Sequence, residues 1–294
     1  MKCPLLYIVA INYNASDHTI EMIHSILESD YENVKVVIVD NASELSDYEK
    51  LDIIKEHAIV LRSDKNLGFS GGNNLGIRYA IEHSADYVMI LNNDTTIRKD
   101  AITKMMTAII QDDVDVISPK ILHYYDHSKV NYAGGNLSAF KGGISIRGLG
   151  KKDFGQFDEK ETITFVSGCC TLASIETWNS VNLMDERYFL YYEDVALSKS
   201  FQDAGKKMWY WPESVIYHKE SVSTKKYSAN YQYYLCRNRL LYIKECIKFP
   251  IKIVAYGYTV LFILKNLKRK NFELKNIRDA IHDYVCGIYG CRND

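Results

Sequence analysis

The chain has 294 residues, enough for one large domain or one domain with an appendage. It is 47% hydrophobic and 25% charged, the profile of a folded globular protein, and a formal net charge of -1 lacks the basic footprint of a nucleic-acid binder. Its 7 cysteines contain no CxxC pair, which argues against a zinc site, and the odd count fits a reducing compartment better than a disulfide framework.

The apolar part of MKCPLLYIVAINYN is too short for a secretory signal and runs straight into a strand pattern over residues 5–11, so a cytosolic chain is expected. A helix follows at 19–27, with Ile20, Ile23 and Leu27 at helical spacing. VKVVIV (34–39) predicts the second strand, ending on Asp40, and 59–61 a short third. The glycine- and amide-rich NLGFSGGNN (66–74) reads as a loop leading to a helix over 75–83. YVMIL (87–91) predicts a buried strand that stops on Asn92, Asn93 and Asp94. Ile102, Met105, Met106, Ile109 and Ile110 mark another helix, and 114–118 another strand. Such alternation implies a parallel sheet with helices on both faces, whose ligand crevice lies outside the carboxyl ends of the strands.

The middle, 124–160, is rich in Gly, Lys and Asp with weak periodicity, and reads as loops or irregular strands over the sheet. Order returns with FVSGCCTLAS, the aromatic RYFLYYEDVALSKSFQDAG and the strand-like KMWYWPESVIYH. After Lys226 the chain becomes helical, aromatic and basic, which divides it into 1–226 and a helical extension, 227–294. Within the extension, 251–264 is apolar but shorter than the roughly 20 residues a spanning helix needs. Two readings stand: an interfacial helix flanked by bases on a membrane, or helices that pack on the catalytic part or form a homodimer. Tyr is frequent, at 23 against 10 Phe and 3 Trp. Its apolar ring with a polar tip suits grooves and interfaces, and a compositional habit would also produce the count.

Polar residues crowd the strand ends: Asn12-Tyr13-Asn14, Asp40-Asn41 and Asn92-Asn93-Asp94, with the loop at 66–74 opening on the same rim. Each tripeptide alone fits an ordinary turn or helix cap, whereas several on one edge favour a site. Asp94 suits a hard cation, Mg²⁺ or Mn²⁺, held jointly with a diphosphate, or an Asx turn. Asp40 could accept from a base or ribose hydroxyl, or close a turn. Glu193-Asp194 follow an aromatic run, either as acids at a helix N-terminus or as a general base whose pKa its surroundings raise. His218 closes VIYH as a metal ligand or as an unremarkable histidine. The loop at 66–74 matches neither GxGxxG nor GxxxxGK[ST], so dinucleotide and P-loop readings lose support.

VAINYN, VKVVIVDNAS, NLGFSGGNNLGI, YVMILNNDT, SGCCTLASIETWNSVNLMDERYFLYYEDVALS and WPESVIYHKESVST, in this order, resemble the family 2 inverting glycosyltransferases, particularly the rhamnosyltransferase-like branch. The resemblance implies an α/β GT-A fold, a Rossmann-like nucleotide-diphospho-sugar transferase with a mixed, mainly parallel sheet flanked by helices. It implies a nucleotide-diphosphate sugar donor, dTDP-rhamnose or a UDP-sugar, and a glycan or lipid-linked saccharide acceptor in surface polysaccharide synthesis. Asp40 would bind the nucleoside, with Asn12, Tyr13, Asn14 and Asn66 nearby, and Phe69, Asn73, Asn93 and Gly168 would complete the donor site. Asp94 would be the metal ligand of a DxD-type motif, His218 a second one, and Asp194 the base with Glu193 beside it. The family's EDVDLS pattern has Ala196 here at its second Asp, and Lys219-Glu220 stand where a small, glycine-containing stretch is common. The rival of another class is a non-catalytic nucleotide-sugar or glycan-binding module on the same fold.

Overall fold

A computed structural model describes residues 3–219 and 227–292. The inferred boundary at residue 226, and Glu220 with the 221–224 part of WPESVIYHKESVST, lie outside the described residues.

The first half alternates: β1 (Leu6–Asn12), α1 (Ser16–Leu27), β2 (Val34–Asp40), one turn of α2 (Leu45–Tyr48) running on as a 3-10 helix (Glu49–Ile54), β3 (Ile59–Arg62), α3 (Gly68–Glu82), β4 (Tyr87–Leu91), β5 (Thr95–Ile97) and α4 (Ala101–Gln111). The second half holds β6 (Val116–His123), β7 (Asp126–Tyr132), β8 (Gly135–Ser138), β9 (Gly143–Ile146), β10 (Glu161–Ile163), β11 (Cys170–Ser174), α5 (Ile175–Ser180), α6 (Glu193–Asp203) and β12 (Met208–His218). Three helices close the chain: α7 (Ala229–Cys246), α8 (Ile251–Lys268) and α9 (Leu274–Cys286).

The unbroken apolar runs of β1, β2 and β4 are buried on both faces of one sheet ordered β10-β12-β6-β11-β4-β1-β2-β3. β1 pairs in parallel with β2 and β4, and β12 with β6, while β11 runs antiparallel between β4 and β6. The sheet is therefore mixed and mainly parallel, the GT-A arrangement. β5 folds back antiparallel onto the end of β12, pairing Thr95 with His218, and so carries that histidine to the mouth of β4.

Two expectations are corrected. The stretch at 66–74 is no loop beyond Leu67, because α3 begins at Gly68. The glycines of α3 give contact with the sheet: a Cβ on Gly76 would lie 2.3 Å from Val9 Cγ1, and one on Gly72 2.8 Å from Ile11 Cδ1. Glycine in a helix costs about 1 kcal/mol relative to alanine, and close packing on β1 offsets it. The sixth strand also runs past Ser118 to His123, through Pro119. β11 reaches only Val116 and Ile117, and β7 joins on that side at Ile121, so Pro119 sits in the gap where no ladder donor is needed.

The weakly patterned middle holds β7, paired on β6, and the β8–β9 hairpin. In the extension, α7 is buried over most of its surface, and Tyr233, Tyr234, Cys236, Ile263, Phe272, Ile277 and Ala280 form a second apolar cluster joining α7, α8 and α9.

Candidate active site

The carboxyl ends of β1 and β2 make the first corner. Their register sets Asn12 opposite Asp40, both fully buried, and Asn12 Nδ2 donates to Asp40 Oδ1 at 3.0 Å. The second Asp40 oxygen accepts from Ser43 N–H (3.3 Å) and lies 3.7 Å from Arg62 Nε, whose guanidinium stands over the Tyr48 ring. Asn14, left-handed at φ 50, donates its N–H to Ser43 Oγ (2.9 Å) and accepts from Glu44 N–H (2.8 Å), while Tyr13 faces solvent. Asn66 Oδ1 accepts from Asn41 Nδ2 (3.0 Å) and Gly68 N–H (2.9 Å). Asn73 donates to Phe69 O (3.1 Å), and Asn74 to Met184 O (2.8 Å). The amides of this region thus fasten the start of α3 as well as crowding the rim.

The second corner is at the mouth of β4. His218 Nε2 lies 3.0 Å from Asp94 Oδ1 and 3.4 Å from Asn92 Nδ2. Burial works against the Asp94 carboxylate, but the histidine beside it holds its pKa below the usual value. Burial likewise opposes the His218 imidazolium, and Cys169 with Asp94 outweighs it, so that pKa stands well above the ordinary one. Asn93 turns away, donating to Thr19 Oγ1 (2.9 Å), which in turn donates to Asn12 Oδ1 (2.8 Å). A buried chain of hydrogen bonds therefore joins this corner to Asp40.

Asp94 and His218 fit a divalent cation. A carboxylate oxygen and an imidazole nitrogen 3.0 Å apart can both reach one ion at metal–ligand distances of about 2.0–2.2 Å. Nδ1 of His218 is buried without a hydrogen-bond partner among the described residues. Among the described residues no group of three or more His, Cys, Asp or Glu could hold a metal; beside Asp94 and His218, oxygens of a diphosphate and water would fill further positions of the shell.

The third element is the start of α6. Asp194 is half-buried; Oδ1 accepts from Val195 N–H at 2.8 Å and Oδ2 from Gly168 N–H at 3.4 Å. Burial pushes its carboxyl up to about 6, against the pull of those backbone donors. Glu193 is buried with Oε2 unpartnered among the described residues, and burial together with the Asp194 charge drives it well above the carboxylate range. Gly168 backs the pair: a Cβ there would meet Asp194 Cβ at 3.3 Å and the Phe69 ring at 3.5 Å. The next residue, Cys169, accepts from Asn92 N–H at 2.9 Å. One turn thus touches Asp194 on one side and the β4 mouth on the other.

Sequence reasoning passed over Thr19, Arg62 and Cys169. Nothing in their local pattern marks them; they reach the site only through the folding of α1, β3 and the turn before β11 onto the rim.

The model of the glycosyl transferase family 2 matches residues 7–177, a span that includes Asn12, Asp40 and Asp94. A low-salt glycan biosynthesis hexosyltransferase of Haloferax volcanii is 28% identical, over 96% of this chain and 91% of its own. A dTDP-rhamnosyl transferase of Shigella flexneri is 25% identical, over 97% of both chains. Among solved structures, a mannosyltransferase of Pyrobaculum calidifontis in complex with GDP-Man and Mn²⁺ shares the fold at a TM-score of 0.59 and 13% identity, covering 97% of this chain and 76% of that one. GalNAc-T7, with UDP, GalNAc and Mn²⁺, gives 0.58 and 14%, over 74% of this chain and 43% of that one. With more than half of its length matched, the chain belongs to glycosyl transferase family 2.

Proposed function

We propose that this glycosyltransferase moves a hexosyl or deoxyhexosyl group, with inversion, from a nucleotide-diphosphate sugar to a hydroxyl of a glycan or lipid-linked saccharide. The observation that carries the proposal is the pairing, across the turn at Gly168 and Cys169, of a carboxylate raised to about 6 with an Asp94–His218 pair suited to a cation. In this reading Asp194 takes the proton from the acceptor hydroxyl. That oxygen attacks the anomeric carbon from the face opposite the nucleotide, and the C1–O bond breaks with its electron pair leaving on the diphosphate. A Mg²⁺ or Mn²⁺ ion on Asp94 and His218 would neutralise the charge growing there. Glu193, held protonated, excludes water beside the base without competing for the proton. Asp40, fully buried with Asn12, would set the nucleoside end by holding the half-exposed Arg62 beside it. The rhamnosyl and hexosyl relatives, 25–28% identical over nearly the whole chain, support dTDP-rhamnose or another nucleotide hexose and an acceptor in surface glycan synthesis.

The test is a thermal-shift panel of dTDP-, UDP- and GDP-sugars with Mn²⁺ or Mg²⁺, followed by NMR of the anomeric centre in the product. Stabilisation by one class of donor and an inverted product support the reading. A retained anomeric configuration overturns the displacement, and donor binding with neither transfer nor hydrolysis returns the binding-module alternative.

We also propose that α8 rests on an anionic lipid surface on the cytoplasmic side. Its inner stripe, Ala255, Thr259 and Ile263, is packed, while Ile253, Val254, Val260, Leu261 and Leu264 face outward. Lys248, Lys252, Lys265, Lys268, Arg269 and Lys270 flank that face, and no acid lies between Cys246 and Phe272. An apolar face on a segment whose own charges are all cations complements acidic headgroups. No described helix is long and apolar enough to cross a membrane. Co-sedimentation with phosphatidylserine vesicles, lost on Leu261→Glu and weak with neutral vesicles, supports this placement; a dimer in solution that Leu261→Glu dissociates would replace it.

A further inference from the structure

Between α5 and α6 the chain has no regular secondary structure, yet its carbonyls are taken almost one after another. From α3, Asn74 Nδ2 donates to Met184 O (2.8 Å), Ser70 Oγ to Tyr188 O (2.8 Å) and Phe69 N–H to Phe189 O (2.7 Å). From the opposite side, α7 sends Arg237 Nη2 to Arg187 O (3.4 Å). Asn238 Nδ2 donates to two consecutive carbonyls, Leu190 O at 2.9 Å and Tyr191 O at 2.8 Å. Arg237 and Asn238 are both fully buried. Rings repeat the pattern: Phe189 stacks on Tyr234 at 5.2 Å, Tyr191 meets Tyr231 edge-on at 5.1 Å, and Tyr192 meets Tyr242 at 5.8 Å.

The last two residues of this segment, Tyr191 and Tyr192, are both left-handed, at φ 64 and 71. For bulky residues that conformation is strained and persists only where the surroundings hold it. They immediately precede Glu193 and Asp194. One buried amide holds two consecutive carbonyls of this turn, and no apolar side chain could satisfy them.

We infer that Asn238 is a positioning residue for Asp194: its amide holds the 190–191 carbonyls so that two left-handed tyrosines deliver the first turn of α6 to the rim. The inference rests on the reading of Asp194 as the base. It makes α7, which follows the undescribed 220–226 segment, a working part of the active site.

Asn238→Ala is expected to lower kcat about a hundredfold, the scale of a displacement of about 1 Å at a catalytic group, while donor affinity by calorimetry stays unchanged. Asn276→Ala is the control, since Asn276 is also buried in the extension and its amide, among the described residues, bonds within it, to Gln232 Oε1 (3.1 Å). Hydrogen exchange at residues 187–192 should rise in Asn238→Ala and not in Asn276→Ala. Equal kcat losses in the two variants, or an unchanged kcat in Asn238→Ala, overturn the inference. Asp194→Asn is measured alongside: if it keeps transfer, the role of Asp194 falls instead, whatever Asn238→Ala does. Should Asn238→Ala give no folded chain by circular dichroism, Asn238→Ser, which keeps one donor, is read by the same criteria.

Discussion

Two carboxylates stand on the same rim with opposite electrostatics. Asp94 is well buried, yet the histidine at 3.0 Å keeps it ionised and its pKa low. Asp194 is half-buried and, among the described residues, its carboxylate accepts from backbone N–H groups with no cation beside it, so burial raises its pKa to about 6. Partner charge, rather than depth, separates them. A carboxylate held ionised beside an imidazole that can give up its proton to a metal suits cation binding, and one poised near neutrality suits proton transfer.

The sharpest way to break this contrast is Asp194→Asn. Turnover should fall by about a hundred- to ten-thousand-fold, the usual contribution of a general base, with donor affinity by calorimetry retained. Near-normal transfer by this variant would remove the distinction altogether. Asp94→Ala should do the reverse, weakening nucleotide binding in Mn²⁺ about ten- to a hundredfold, as loss of a charged contact does. A smaller effect is expected of pH. In the wild type kcat/KM should rise with a midpoint near 6 if Asp194 is the base, since a base has to be ionised to act.

The smallest effects lie in stability and at the neighbouring acid. A carboxyl raised in the fold contributes stability that is complete below its unfolded pKa, about 4, and is lost as pH rises through the folded value of about 6. Asp194→Asn should therefore melt higher than wild type at pH 8, and the gap should close by pH 4. Glu193→Gln, which mimics an already protonated side chain, should leave transfer nearly unchanged; a large loss would show that Glu193 shares the proton.

Sequence made the sheet legible where burial is two-sided, since VKVVIV and YVMIL can bury their runs only in such strands. The start of α3 was hidden because its glycines and asparagines have loop propensities, and their reason for being helical, contact with Val9 and Ile11, comes from β1. Pro119 hid the end of β6 in the same way, through a gap between two other strands. In the site, the rim tripeptides announced themselves by position, whereas Arg62 over Asp40, and the turn linking Asn92 to Asp194, depend on contacts between distant segments.

The ring pairs between α7 and the segment before α6 also bear on how such enzymes can be recombined. Phe189, Tyr191 and Tyr192 are matched one by one to Tyr234, Tyr231 and Tyr242, in places nearly two hundred residues from the start of the chain. A chimera that joins this sheet to the terminal helices of a relative exchanges half of every pair. The helices and the 187–192 segment therefore form one inheritable unit, and an active chimera must take both from the same parent.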